Sequence, residues 1–301
     1  MMPFVIIVFA VKEATAAKKI LFCSLAGLAI GVCCLIYQGL GGAHRAAGFF
    51  GHPMTFAGYL CIYMPLLLIG FFDKRVFGKY NGVSGLLFVA AFIALIFNAT
   101  RGAWIAVAAV VALIMVYYAF QSKRNMAIVL CMVSLAGWGL SEYEPFVKRV
   151  RTITDVKMQS NSERLLIWNS AYKMFKDHPI TGVGLGQYKD NYQKKYISSK
   201  AKEPKLEHAH SNFMQMLAEN GLVGFLGFMV LITYLIVGKL KAFWRTRSPY
   251  AFMIACSTLG LILQGFTEYN FGNSAVMKSF WLVIGCLAVL DELYDEAHSS
   301  E

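Results

Sequence analysis

Apolar positions run in blocks of about 18–20 residues, the length needed to cross a bilayer's hydrocarbon core at about 1.5 Å per helical residue. Blocks at 20–39, 54–72, 83–99, 102–120, 126–140, 213–237, 250–267 and 277–290 predict eight transmembrane helices. Met1 to Val11 forms a further apolar stub, too short to cross alone, with Lys12, Lys18 and Lys19 behind it. It reads as the remainder of a helix rather than a signal peptide, because no small-residue cleavage site follows. The fold expected is therefore all-α: a polytopic bundle of about eight or nine spans. Its predicted parts are N-terminal helices over 1–140, a large polar loop over 141–212, and C-terminal helices with an acidic tail over 213–301.

Inside the loop the pattern changes. Leu165, Trp168, Tyr172 and Phe175 recur at helical spacing over 163–178, and Pro179 stops the run,. This predicts an amphipathic helix lying against the membrane face. The following TGVGLG reads as a turn, since no strand precedes it to make a phosphate-binding loop,. His178 reads as the helix end rather than a ligand.

Composition narrows the class. The chain is 57% hydrophobic and 15% charged, which excludes a soluble globular domain, a disordered chain and a disulfide-stapled module. The seven cysteines lie in apolar blocks with no Cys-x-x-Cys pair, so they read as small apolar residues, not as a metal or disulfide framework. The net charge of +11 reflects topology rather than nucleic-acid binding. The N-terminal segment and the loops around 72–82, 121–125 and 238–249 hold twelve Lys and Arg, and the alternating short loops hold only Arg45 and Arg101. The positive-inside rule puts the first set in the cytoplasm and the 141–212 loop outside.

The candidate chemistry lies at that outer edge. Arg45, Arg101 and Arg164 stand where a guanidinium near lipid is expensive,. Each alone reads as an interfacial anchor, whereas three on one membrane face point to an anionic headgroup such as a diphosphate. His208 and His210 precede a span that Ser211 is placed to cap,. A neutral imidazole there can take a proton from a sugar hydroxyl, the alternative being a solvated loop histidine. Glu219, about two turns into the span, needs a partner or a functional reason. Gly221, Gly224 and Gly227 read as a bare face for helix packing.

Taken together, these stretches resemble the O-antigen ligase and polymerase-related proteins of bacterial envelopes. The most specific match is His210-Ser211, nine residues, then Gly221-x-x-Gly224; RAAGFFGHPMTFAGYL, TRGAW and ERLLIWNSAYKMFKDHPITGVGLG follow the family's order. Met54 departs from it, standing where Asn is common after the Pro. The resemblance implies a GT-C-like bundle in the inner membrane with its site facing the periplasm. It implies transfer of a glycan from an undecaprenyl-diphosphate carrier to a glycan or lipid A core hydroxyl, with no metal, cofactor or nucleotide sugar. His210 would be the general base; Arg101 and Arg164 would hold the diphosphate with help from Arg45; His208 and Glu219 would support them. A polymerase is the nearest alternative. A transporter would need ionisable residues near the midplane, and here they gather at the edge.

Overall fold

The computed structural model describes residues 1–153, 155, 158–202 and 204–298. It is an all-α bundle, with no strand among the described residues. In chain order the helices are α1 (Met2–Ala10), α2 (Ala14–Leu40), α3 (Pro53–Phe72), the single turn α4 (Lys74–Phe77), α5 (Asn81–Asn98), α6 (Arg101–Ala119) and α7 (Lys123–Glu142). Then come α8 (Glu144–Arg151), α9 (Gln159–Asp177), the turn α10 (Tyr188–Asn191), α11 (Asn212–Thr233), α12 (Lys239–Thr246), α13 (Pro249–Gln264) and α14 (Ser274–His298). Among the described residues, seven stretches are long and apolar enough to cross a membrane, and α13 is a shorter apolar helix of 16 residues. These eight match the hydropathy blocks one for one. The stub is α1, packed along α14 with Phe4 edge-on to Trp281.

Helices α3 and α13 form the centre. Lipid gives no hydrophobic drive for helices to associate, so close backbone approach and polar links must hold them. Gly260 supplies the first: a Cβ there would meet the Cys61 carbonyl at 2.6 Å. Ser257 supplies the second by donating to the Ile62 carbonyl at 2.7 Å. Tyr63 and Ser279 share a hydrogen bond of 2.8 Å that ties α3 to α14.

The polar segment is more structured than its periodicity indicates. A short helix the hydropathy pattern does not mark, α8, precedes α9. Helix α9 buries Ile167, Ser170, Ala171 and Met174 against Tyr188, Tyr192, Tyr196 and Ala218, forming a small core apart from the bundle. The stripe expected to be the apolar face is offset from this one, and its Leu165 and Tyr172 are exposed.

The glycines of α11 also differ from expectation. Gly221 is not a packing face but a break, with φ 59° and ψ −158°. The 179–184 loop enters the break and satisfies the backbone groups it frees. Val183 and Gly184 donate to the Ala218 and Glu219 carbonyls at 2.9 and 3.0 Å, and Leu222 donates to that of Pro179 at 2.8 Å. Gly182 (φ 69°) lies against the Glu219 backbone and Gly221 against the Ile180 carbonyl, so neither has room for a side chain. Gly221→Ala combines that clash with backbone strain of about 1–3 kcal/mol and lowers the midpoint of thermal unfolding in detergent. Gly227→Ala, where a Cβ meets nothing within 4 Å, leaves the midpoint unchanged or raises it.

Candidate active site

Four arginines reach one cleft from four separate pieces of chain. Arg45 lies in the loop after α2. Gln38 clamps that loop, accepting from the Ala47 and Gly48 amides at 3.0 and 2.9 Å. Ala46 is held on both sides, donating to the Phe97 carbonyl at 3.1 Å and accepting from Asn98 at 2.9 Å. Arg45 donates through one terminal nitrogen to the Thr100 hydroxyl at 3.2 Å. Arg101 opens α6 two residues after Ala99, whose φ of 54° makes the turn tight. Gly102 leaves no side chain beside it, so the Thr267 hydroxyl can lie against the start of α6. Arg149 comes from α8 and donates to the Ala99 carbonyl at 2.7 Å. Arg164 comes from the first turns of α9.

These arginines, with Thr100, Gln264, Thr267 and Glu268, line a cleft that is partly open to solvent. Burial, then the charges of Arg149, Arg164 and Arg101, hold Arg45 below the ordinary guanidinium range. Burial lowers Arg149 and Arg164 as well, with Glu268 partly offsetting the effect at Arg164. Four cations facing one carboxylate make a strongly positive cleft, suited to a multivalent anion. Their roles differ. Arg101 is already engaged with the α8–α9 connection through Thr152, Ser160 (2.8 Å) and Asn161 (3.0 Å).

The histidines are placed by the residue between them. The Ala209 amide donates to Gln215 at 2.7 Å, and its carbonyl accepts from the Trp168 indole at 3.1 Å. His210 is left at φ 47°, in the left-handed region, and donates its amide to His208 Nδ1 at 3.3 Å. Ser211 then caps α11 by accepting from Met214. His210 does not line the arginine cleft itself. It meets the cleft through Glu268, whose Oε2 lies 3.5 Å from its Nδ1.

Asn212 enforces that meeting. Its amide donates to the Gly265 carbonyl at 2.8 Å and its side-chain oxygen accepts from Phe271 at 3.2 Å, fixing the 265–271 loop to the start of α11. Burial alone would raise Glu268. The His210 hydrogen bond and the charges of His210, His208 and Arg164 outweigh it, and Glu268 falls below the usual carboxylate range. An ionised carboxylate only accepts, so in this contact Nδ1 is the donor, and Nε2 is the ring nitrogen that Glu268 does not engage. Burial and then His210 lower His208, favouring its neutral form.

Of the sequence-derived candidates, Arg45, Arg101 and Arg164 share the cleft, and His210 and His208 stand beside it. Glu219 does not join them: its carboxylate accepts from the Tyr188 amide at 2.9 Å and anchors the loop after α9. Arg149 and Glu268 are additions. Glu268 had a signal, as an isolated carboxylate between two spans on the arginine side; Arg149 lies in a charged run with none.

His208, His210 and Glu268 offer ligand atoms within 4.8 Å of one another, a possible hold for a divalent cation. The neighbouring guanidiniums oppose such a charge, and the imidazole and carboxylate already satisfy each other.

No curated protein matches the chain. Residues 86–229 match the family model described as O-antigen ligase, a stretch that carries Arg101, Arg149, Arg164, His210 and the broken helix at Gly221, and this match supports a relation to the O-antigen ligase family.

Proposed function

We propose that this protein is a glycosyltransferase of the O-antigen ligase type. It moves a glycan from an undecaprenyl-diphosphate carrier to an acceptor hydroxyl, such as a lipid A core sugar. The reaction takes place at the periplasmic face of a bacterial inner membrane. The observation that carries this reading is the convergence of Arg45, Arg101, Arg149 and Arg164 on one cleft joined to His210 through Glu268. The 141–212 segment supplies Arg149, Arg164 and the histidines, while the loops at 41–52 and 265–273 complete the site.

The acceptor oxygen attacks the sugar's anomeric carbon as the bond from that carbon to the diphosphate oxygen breaks. His210 Nε2 takes the hydroxyl proton, and Glu268 steadies the imidazolium that forms. The departing lipid diphosphate gains negative charge, which fixed guanidiniums stabilise without reorganising. Arginines can supply this without a metal.

The test incubates purified protein in lipid nanodiscs with an undecaprenyl-diphosphate glycan, a lipid A core acceptor and a chelator, without nucleotide sugar. Glycan on the lipid A core, with release of undecaprenyl diphosphate, is the expected result. Elongation of the carrier-linked glycan instead identifies a polymerase. Glycan movement across the membrane with no covalent product identifies a transporter and overturns the proposal.

A further inference from the structure

Gln264 ends α13 and lines the arginine cleft, with none of its surface exposed. Its side-chain oxygen accepts from Asn270 Nδ2 at 3.4 Å. That Asn270 nitrogen also donates to the Leu261 carbonyl at 3.1 Å, which fixes it as the donor end of its amide. The Gln264 amide must therefore turn its own oxygen toward Asn270, since the reverse would set two donors face to face. Its Nε2 is left buried with no hydrogen-bond partner among the described residues. Arg45 Nε is in the same position, on the wall of the same cleft.

A buried donor without a partner costs about 1–3 kcal/mol. Two in one cleft, among cations that repel one another, mark a site whose donors are kept for an anion. Resting on the donor assignment above, we infer that Gln264 is a diphosphate-binding residue. Its Nε2–H donates to a phosphoryl oxygen in the cleft, as does Arg45 Nε. An uncharged donor suits that place: it adds a directed hydrogen bond without adding a fifth cation to the repulsion. Because Gln264 is itself fully buried, such a bond is stronger there than at a surface.

The test uses the intact protein in detergent with inorganic diphosphate as probe, read by calorimetric titration and thermal unfolding. The variants are Gln264→Met, which removes the donor, and Gln264→Glu, which supplies the arginines with a counter-charge. Both are expected to raise the unfolding midpoint of the free protein. Gln264→Met weakens diphosphate about 5- to 10-fold, and Gln264→Glu weakens it further. With lipid-linked donor, Gln264→Met raises KM and leaves kcat nearly unchanged.

A residue that only braces Asn270 gives the opposite pattern, with lower midpoints and unchanged diphosphate affinity, and that result overturns the inference. If wild type and Arg164→Ala both fail to bind diphosphate, the donor assignment falls and the inference falls with it. If wild type binds and Gln264→Met binds equally well, only the inference falls.

Discussion

Replacing His210 by alanine slows glycan transfer by about 10²–10⁴-fold, the usual contribution of a positioned general base. The binding of diphosphate to the arginine cleft is unchanged, because His210 lies outside that cleft and meets it only through Glu268. Backbone geometry supplies a control. At φ 47° a residue with a Cβ is strained, and glycine is not. His210→Gly therefore abolishes rapid transfer while leaving the unfolding midpoint equal to or above that of wild type. Loss of activity with retained or improved stability separates a chemical role from a structural one. Glu268→Gln keeps a hydrogen-bond acceptor beside Nδ1 and loses only the charge that steadies the imidazolium. Its transfer rate falls less than that of His210→Ala. Full activity in both His210 variants would remove the imidazole from the mechanism.

The bundle was legible because each span has to carry its own apolar length. Eight blocks in the chain are eight helices in the structure, including α13, which is too short to be recognised by length alone. The arginines were legible as a set because lipid makes any guanidinium conspicuous. What periodicity missed was decided by contacts between distant pieces of chain. The buried stripe of α9 is set by Tyr188, Tyr192 and Tyr196 packing onto it, and nothing within residues 163–178 specifies that partner. Gly221 looked like a packing glycine because a spacing of three fits a helix face. Its actual conformation depends on a loop some 40 residues earlier entering the helix at Ile180 and Gly182. Arg149 belongs to a polar helix with no hydropathy signature. Glu268 acquires its meaning only when Asn212 draws its loop to the start of α11.

Arg164→Ala lowers the affinity for the lipid-diphosphate donor by about 10- to 100-fold, the weight of one charge-assisted hydrogen bond of about 1.5–3 kcal/mol. Its side chain is half-buried among Arg45, Arg101 and Arg149, with Glu268 the one carboxylate lining the cleft among the described residues. Removing it relieves like-charge repulsion in the free protein, so its unfolding midpoint does not fall. Arg101→Ala behaves differently, because Arg101 ties the α8–α9 connection together through Thr152, Ser160 and Asn161. That variant loses stability as well as transfer. Lysine at 164 restores only part of the affinity, since an ammonium gives a point charge where a phosphate takes a two-pronged guanidinium. Raising the salt concentration weakens donor binding more steeply in wild type than in Arg164→Ala, because fewer cations remain to be screened in the variant. Equal affinity and equal salt dependence in the two proteins would mean that the diphosphate binds elsewhere, and the cleft would lose its assigned substrate.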